Sequence, residues 1–329
     1  MNTTAVTFKP EASEMQALES VLDGLTEIRC IAGIESARRL DLLKAADIVI
    51  SKRFSGKEVG LPEVSALERV RLVQLVFAGA DQVPYESLPE NAMVAGNAGA
   101  FAGPLAEHVL GMVLCLAKKL LNGHEALVRG RFEHSVLSRE LRGCTCAIIG
   151  MGGNGTAIAS LMKGLGMRVM GINRSGKSVA ALDFMGTLAD MDRVLQAADV
   201  VVLTVPLTRT TRGMIGRDEL QRMKPDAILI NVARGAVVEQ QALYDHLTAV
   251  PTFSAGIDTW WSEPGDPQGF KVDYPFFDLP NVIGSPHKAD RVPAMRTKAV
   301  RAAAENVRDF LEGKPVRGVV DRADYLYSA

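Results

Sequence analysis

Three residues in the second half of the chain carry side chains that could work together on a carbonyl beside a carboxylate. They are Arg234 in NVARGAVV, Glu263 in DTWWSEP and His287 in SPH. A planar guanidinium binds a carboxylate at two points and polarises a neighbouring carbonyl. An imidazole gives a proton to the carbonyl oxygen and, in the reverse direction, removes it. A carboxylate hydrogen-bonded to that imidazole favours its charged form. This set suits the interconversion of a 2-oxo acid and a 2-hydroxy acid, provided that another group delivers hydride. Each residue alone also has an ordinary reading: a surface charge, a loop acid before Pro264, and a turn residue after Ser285-Pro286. The constellation is what gives them weight.

A hydride carrier is suggested upstream. GMGGNG, Gly150 to Gly155, follows the apolar run Cys146-Ala147-Ile148-Ile149 and opens a helical stretch at Thr156-Ala157-Ile158-Ala159. In a strand–turn–helix context the first glycine permits a tight turn, the second lets backbone approach a pyrophosphate, and the third lets helix pack on sheet. Asn154 is unexpected, because an apolar residue often packs at that place. After the next apolar run, Met167 to Ile172, the sequence reads Asn173-Arg174-Ser175. No acid is present there to bind a ribose 2′-hydroxyl, and Arg174 with Ser175 suits a 2′-phosphate. NADP(H) is therefore favoured as cofactor, with NAD(H) possible. No metal site is expected.

The elements that must position these residues alternate. Apolar runs at Val6–Phe8, Ile28–Ile31, Asp47–Ile50, Leu72–Phe77 and Met93–Ala95 are separated by helical stretches, and a single helix is expected from Pro104 to Val128, bridging two domains. A second series follows at Cys146–Ile149, Val169–Ile172, Val200–Leu203, Ile228–Val232, Ser254–Asp258 and Val282–Ile283. A last helix runs from Pro293 to Leu311 and stops at Gly313-Lys314-Pro315. The fold class is α/β, with two doubly wound parallel-sheet domains. A Rossmann dinucleotide-binding domain, 100–289, is inserted in a flavodoxin-like substrate domain, 1–99 plus 290–329.

Composition agrees with a small-molecule partner. The 329 residues exceed one ordinary core, and a formal net charge of −1 offers no field for nucleic acid or anionic lipid. Cys30, Cys115, Cys144 and Cys146 follow no disulfide or metal spacing and read as reduced thiols. No basic-then-apolar leader is visible and the run Val109–Ala117 is too short to span a bilayer, so a cytoplasmic protein is expected.

Six stretches in order, FAGADQVP, NAGAFAGPLAEH, GMGGNG, TVPLTRTTRGMI, NVARGAVV and the DTWWSEP with SPH pair, make the chain resemble the D-isomer-specific 2-hydroxyacid dehydrogenases over nearly its whole length. The resemblance implies Arg234, Glu263 and His287 as the catalytic residues. It implies cofactor contacts at Gly150, Gly152, Gly153, Asn154, Gly155, Asn173, Arg174, Ser175, Val205, Pro206, Thr211, Val232, Ala233, Arg234, Asp258 and His287, with Asp258 on the nicotinamide carboxamide. Substrate contacts are implied at Phe77, Ala78, Gly79 and Ala80, through backbone N–H groups, and at Arg234 and His287. A homodimer and reduction of glyoxylate, hydroxypyruvate or a similar short 2-oxo acid follow from the same resemblance. No regulatory segment is seen after Ala329, and Glu263 argues against the formate-oxidising branch, which carries glutamine there. A nucleotide-sensing corepressor-like binding protein on the same fold is the alternative. His108, in the Glu-His pair, reads as interdomain packing, and His124, His134 and His246 as structural. Trp260 and Trp261 could cover the pocket or belong to a core.

Overall fold

The computed structural model describes residues 1–326. Two compact units are formed: one from Met1–Phe101 with the chain from Val292 onward, the other from Ala102–Arg291. Their limits lie two residues beyond those read from the sequence.

The first unit contains β1 (Asn2–Val6), α1 (Ala12–Leu22), β2 (Thr26–Cys30), α2 (Ser36–Lys44), β3 (Ile48–Ser51), α3 (Leu61–Val64), β4 (Leu72–Leu75) and β5 (Met93–Ala95). Its five strands are parallel in the order β2-β1-β3-β4-β5, the flavodoxin-like arrangement. Neighbouring residues of one strand enter opposite cores. Val49, Val73 and Leu75 join one, while Ile48, Ile50 and Leu72 join the other. A strand buried on both faces needs an apolar run rather than alternation, which central β3 has, while edge strand β2 alternates, with Glu27 and Arg29 exposed. β1 ends where the sequence suggested it would begin. The polar Thr4 hides this, since its hydroxyl is buried against Thr26 Oγ1 at 2.9 Å.

The second unit contains α4 (Ala102–Ala117), α5 (Leu120–Val128), β6 (Thr145–Ile149), α6 (Gly153–Gly164), β7 (Arg168–Ile172), β8 (Phe184–Gly186), α7 (Met191–Ala197), β9 (Val200–Leu203), α8 (Arg217–Arg222), β10 (Ile228–Asn231), α9 (Gln240–Ala249), β11 (Ser254–Ile257) and β12 (Val282–Gly284). Seven parallel strands run β12-β11-β10-β9-β6-β7-β8. Strand order reverses between β6 and β9, and ligands of such sheets bind at that point, outside the carboxyl ends of the strands. The single helix expected over 104–128 is two, because Lys119 takes a left-handed conformation with φ 52°. α4 belongs wholly to this unit and buries Val109, Met112 and Val113 against Ile148, Val202 and Ile230.

The chain returns to the first unit through α10 (Met295–Leu311), whose Ala299, Val300, Ala303, Ala304 and Val307 pack with Leu18 and Leu22. It ends at Gly313, φ 71°, where Lys314 N donates to Asp309 O at 2.7 Å. Asn97 Nδ2 donates to Ala299 O at 2.8 Å and Asn306 Nδ2 to Gln74 Oε1 at 2.6 Å, tying α10 to the sheet. All four cysteines are free, and burial pushes the Cys146 thiol up to about 12. Among the described residues no helix is long and apolar enough to cross a membrane.

One ion pair holds α10 to α1. The fully buried Glu14 accepts from Arg296 through both carboxylate oxygens, one of them Oε2 from Nη2 at 2.8 Å. Burial pushes the Glu14 carboxyl up, but the bonds from Arg296 and the Glu11 N–H outweigh it, and its pKa is lowered. A depressed carboxyl contributes stability above its unfolded value, about 4.3, and loses it as pH falls through the folded value. Arg296→Met leaves the carboxylate buried and uncompensated. We expect it to cost about 3 kcal/mol at neutral pH, with the deficit shrinking as mild acid protonates Glu14. Urea unfolding of both proteins across pH 4 to 8 checks this.

Candidate active site

The glycine-rich turn lies at the strand-order reversal. Gly150 has φ 108°, and a Cβ there would stand 2.8 Å from Thr204 Oγ1 at the end of β9. Thr204 fixes the turn: its N–H donates to Ile149 O at 2.9 Å and its hydroxyl to Gly150 O at 2.5 Å. Gly155 is required by close approach, since a Cβ would lie 2.1 Å from Gly150 O. Gly152, just before α6, differs. Its conformation is ordinary (φ −83°, ψ −160°) and a Cβ there would meet nothing within 4 Å. The protein has no internal need for this glycine. Its open space in front of a helix N-terminus, beside Gly153 and the half-buried Asn154, is the cradle that a pyrophosphate fits.

After β7, Asn173 organises the following turn. Its Oδ1 accepts from Gly176 N at 2.8 Å and Ser175 Oγ at 3.2 Å, and its Nδ2 donates to Lys177 O at 2.8 Å. Arg174 and Ser175 are exposed beside it. After β9, Val205 is half-buried and Pro206 exposed. Thr211 is spent within this loop: its hydroxyl donates to Pro206 O at 2.6 Å and accepts from Thr208 N at 2.8 Å. It shapes the loop through these bonds.

Arg234 stands one short turn after β10. Asn231 braces that turn, accepting from Ala233 N at 3.1 Å and donating to Arg234 O at 3.0 Å, while Val232 and Ala233 are buried beneath. The next residue must be glycine. A Cβ on Gly235 would lie 2.3 Å from the carbonyl carbon of Trp260, so the backbone of the Glu263 loop runs directly past Arg234. Glu263 lies within the field of the Arg234 charge.

His287 and Glu263 are joined. His287 Nδ1 is 2.7 Å from Oε2 and 3.0 Å from Oε1 of Glu263. An ionised carboxylate only accepts, so Nδ1 carries the proton and Nε2 is the ring nitrogen that exchanges one. Burial pushes the Glu263 carboxyl up, but the His287 bond, the Trp260 N–H at 3.1 Å and the Arg234 charge together hold it below its ordinary range. Glu263 is thus ionised at neutral pH. His287 itself has φ 48°, a conformation uncommon outside glycine. Its N–H donates to Asp258 O at 2.8 Å.

Asp258 directly follows β11 and is almost fully buried, with 1% of its surface exposed. Burial raises its carboxyl, and donors from His108, Ser285 and Lys288 N more than reverse this. His108 therefore has a place that the sequence did not suggest. Its Nε2 is 3.0 Å from Ser285 Oγ and 3.4 Å from Asp258 Oδ1, all within the second unit, so the interdomain reading is replaced. The tryptophans are core residues. Trp260 and Trp261 join Phe276 in the apolar core, with Phe277 and Phe270 against the Trp260 ring. Their indole N–H groups donate to Ser285 O at 2.9 Å and Val238 O at 2.6 Å, tying the His287 turn and the segment after Arg234 to that core.

In the first unit, Phe77 to Ala80 follow β4. Phe77 stacks on Phe101 at 5.3 Å and carries the Arg53 guanidinium over its ring at 5.2 Å, and Ala78 O presses so close to Gly96 that a Cβ there would lie 2.5 Å away. His246 packs edge-on against Phe253 at 4.6 Å, a structural role.

Residues 110–289 match the family model described as D-isomer specific 2-hydroxyacid dehydrogenase, NAD binding domain. The chain belongs to the D-isomer-specific 2-hydroxyacid dehydrogenase family. A glyoxylate reductase of Korarchaeum cryptofilum is 30% identical over 76% of this chain and 75% of its own length. A D-3-phosphoglycerate dehydrogenase of Methanocaldococcus jannaschii is 29% identical over 92% of this chain, which spans only 56% of that relative's length. A D-isomer specific 2-hydroxyacid dehydrogenase family protein from Aeromonas salmonicida shares the fold with a TM-score of 0.79, at 25% identity over 98% of this chain and 99% of its own.

The family's dinucleotide site gives Gly152 and Gly155 separable roles here. Gly152→Ala adds a methyl group only where the ligand comes, so stability should stay within about 0.5 kcal/mol while dinucleotide affinity falls about tenfold or more. Gly155→Ala should instead lower the melting temperature. Thermal unfolding with calorimetric titration of NADPH distinguishes the two.

Proposed function

We propose that this protein reduces short 2-oxo acids, with glyoxylate and hydroxypyruvate as the best candidates, using NADP(H) in preference to NAD(H). The observation that carries this reading is the His287–Glu263 pair, which frees Nε2 for proton transfer beside the Arg234 charge. Arg234 binds the substrate carboxylate and polarises the adjacent carbonyl. His287 Nε2 gives the carbonyl oxygen its proton in reduction and takes it back in oxidation. Glu263 keeps the ring in the Nδ1–H form and stabilises its charged state. When bound, the nicotinamide supplies or accepts the hydride.

For the cofactor, the α6 N-terminus with Gly150, Gly152, Gly153, Asn154 and Gly155 would hold the pyrophosphate. Val205 and Pro206 would line the adenosine, and Val232, Ala233 and Asp258 the nicotinamide end. The exposed Arg174 and the absence of an acid in Asn173-Arg174-Ser175 support the NADP(H) preference, because a carboxylate there would repel a 2′-phosphate. The name of the Korarchaeum relative, a glyoxylate reductase, supports a short substrate. A homodimer is supported by the apolar surface on α5 and the segment after it, where Phe132 and Leu137 are 81% and 84% exposed.

Steady-state assays with a panel of 2-oxo acids and both cofactors should give turnover with glyoxylate or hydroxypyruvate. Arg234→Ala should lower kcat/KM by about 10²- to 10³-fold. His287→Gln should lower kcat by about 10²-fold or more with little change in cofactor affinity. Arg174→Ala should move the NADPH to NADH ratio toward NADH by about tenfold. A parent that prefers NADH contradicts the cofactor reading, and a parent inactive on the whole panel contradicts the reaction.

A further inference from the structure

The residues behind His287 form a second histidine–carboxylate arrangement, in which His108 and Ser285 have no part in the proposed reaction. Asp258 Oδ1 accepts from Ser285 Oγ and from Lys288 N, the latter at 3.1 Å. Because the carboxylate only accepts, the Ser285 hydroxyl proton points to Asp258, and its oxygen is left to accept. His108 Nε2, 3.0 Å from that oxygen and 3.4 Å from Oδ1, must therefore carry a proton shared between the two. Both the neutral Nε2–H tautomer and the imidazolium meet this requirement. The groups gathered here come from α4, from directly after β11, and from the turn at 285–288.

That turn is where the constraint falls. His287 has φ 48°, a conformation that a non-glycine residue keeps only when its surroundings impose it. Its N–H is held by Asp258 O at 2.8 Å, the next N–H by the Asp258 carboxylate, and the Ser285 carbonyl by the Trp260 indole at 2.9 Å. Residues on both sides of Pro286 are thus fixed to Asp258 and its neighbours, and His108 is the donor that closes the group from α4. We propose that His108 is a positioning residue: its Nε2–H, acting through Ser285 and Asp258, holds the turn that aims His287 at Glu263. This rests on His287 being the proton donor, and its test includes a readout that does not.

The experiment compares the parent with His108→Leu, which removes the donor, and His108→Gln, whose amide nitrogen can replace Nε2–H. Turnover with the best 2-oxo acid of the panel and NADPH is measured alongside amide hydrogen exchange of His287 and Lys288. For His108→Leu we expect kcat to fall at least tenfold with KM within threefold, and the two amides to exchange at least tenfold faster. His108→Gln should approach the parent in both. Unchanged exchange and kcat in the Leu variant overturn the proposal, as does a Gln variant that behaves like Leu. Should the Leu variant fail to fold, the Gln variant decides alone: parent-like values uphold the role of the Nε2–H and lost ones overturn it. If the parent turns over no 2-oxo acid, the reaction assigned above falls, and the exchange rates still decide whether His108 holds the turn.

Discussion

The hydrogen bond between His287 Nδ1 and the Glu263 carboxylate is the interaction on which the candidate site depends. It fixes the tautomer and the direction of the ring, leaving Nε2 for the substrate oxygen. Glu263 is held within its own loop, and His287 from a distant segment. Glu263 is set by the Trp260 N–H and by Asp266 Oδ2, which accepts from Glu263 N at 2.6 Å. His287 is set by Asp258 across 29 residues of chain. The sheet brings these segments together because β11 and β12 are adjacent and parallel, so both loops leave the same edge.

Much of this was legible in the sequence, for a physical reason. Strands buried on both faces need unbroken apolar runs, and Val200–Leu203 or Ile228–Asn231 are readable at sight. Glycines that a turn or a close approach demands, such as Gly150 and Gly155, are equally plain. Other features were hidden because local pattern and tertiary context disagree. The apolar spacing through Leu116 and Leu120 continues across Lys119, yet the helix breaks there. β8, Phe184–Gly186, is three residues long and pairs only with β7, too short to register as a periodic signal.

The site shows the same division. Arg234, Glu263 and His287 could be found because their types name a reaction. The residues that brace them, Asn231, His108 and Ser285, have side chains with many ordinary uses. The role of the last two exists only through a contact between distant segments, 177 residues apart. The tryptophan pair could be read either as a lid or as core. Burial against Phe276 and the two indole bonds decide for core, and those bonds connect the core to both halves of the catalytic set.

The central claim is that Glu263 holds His287 with its proton on Nδ1. Nitrogen NMR of histidine-labelled protein, with His287→Gln for assignment, measures this directly. The account predicts that Nδ1 of His287 stays protonated across the titration and that Nε2 is the nitrogen that gains and loses a proton. A neutral ring protonated at Nε2, with Nδ1 bare, would contradict it.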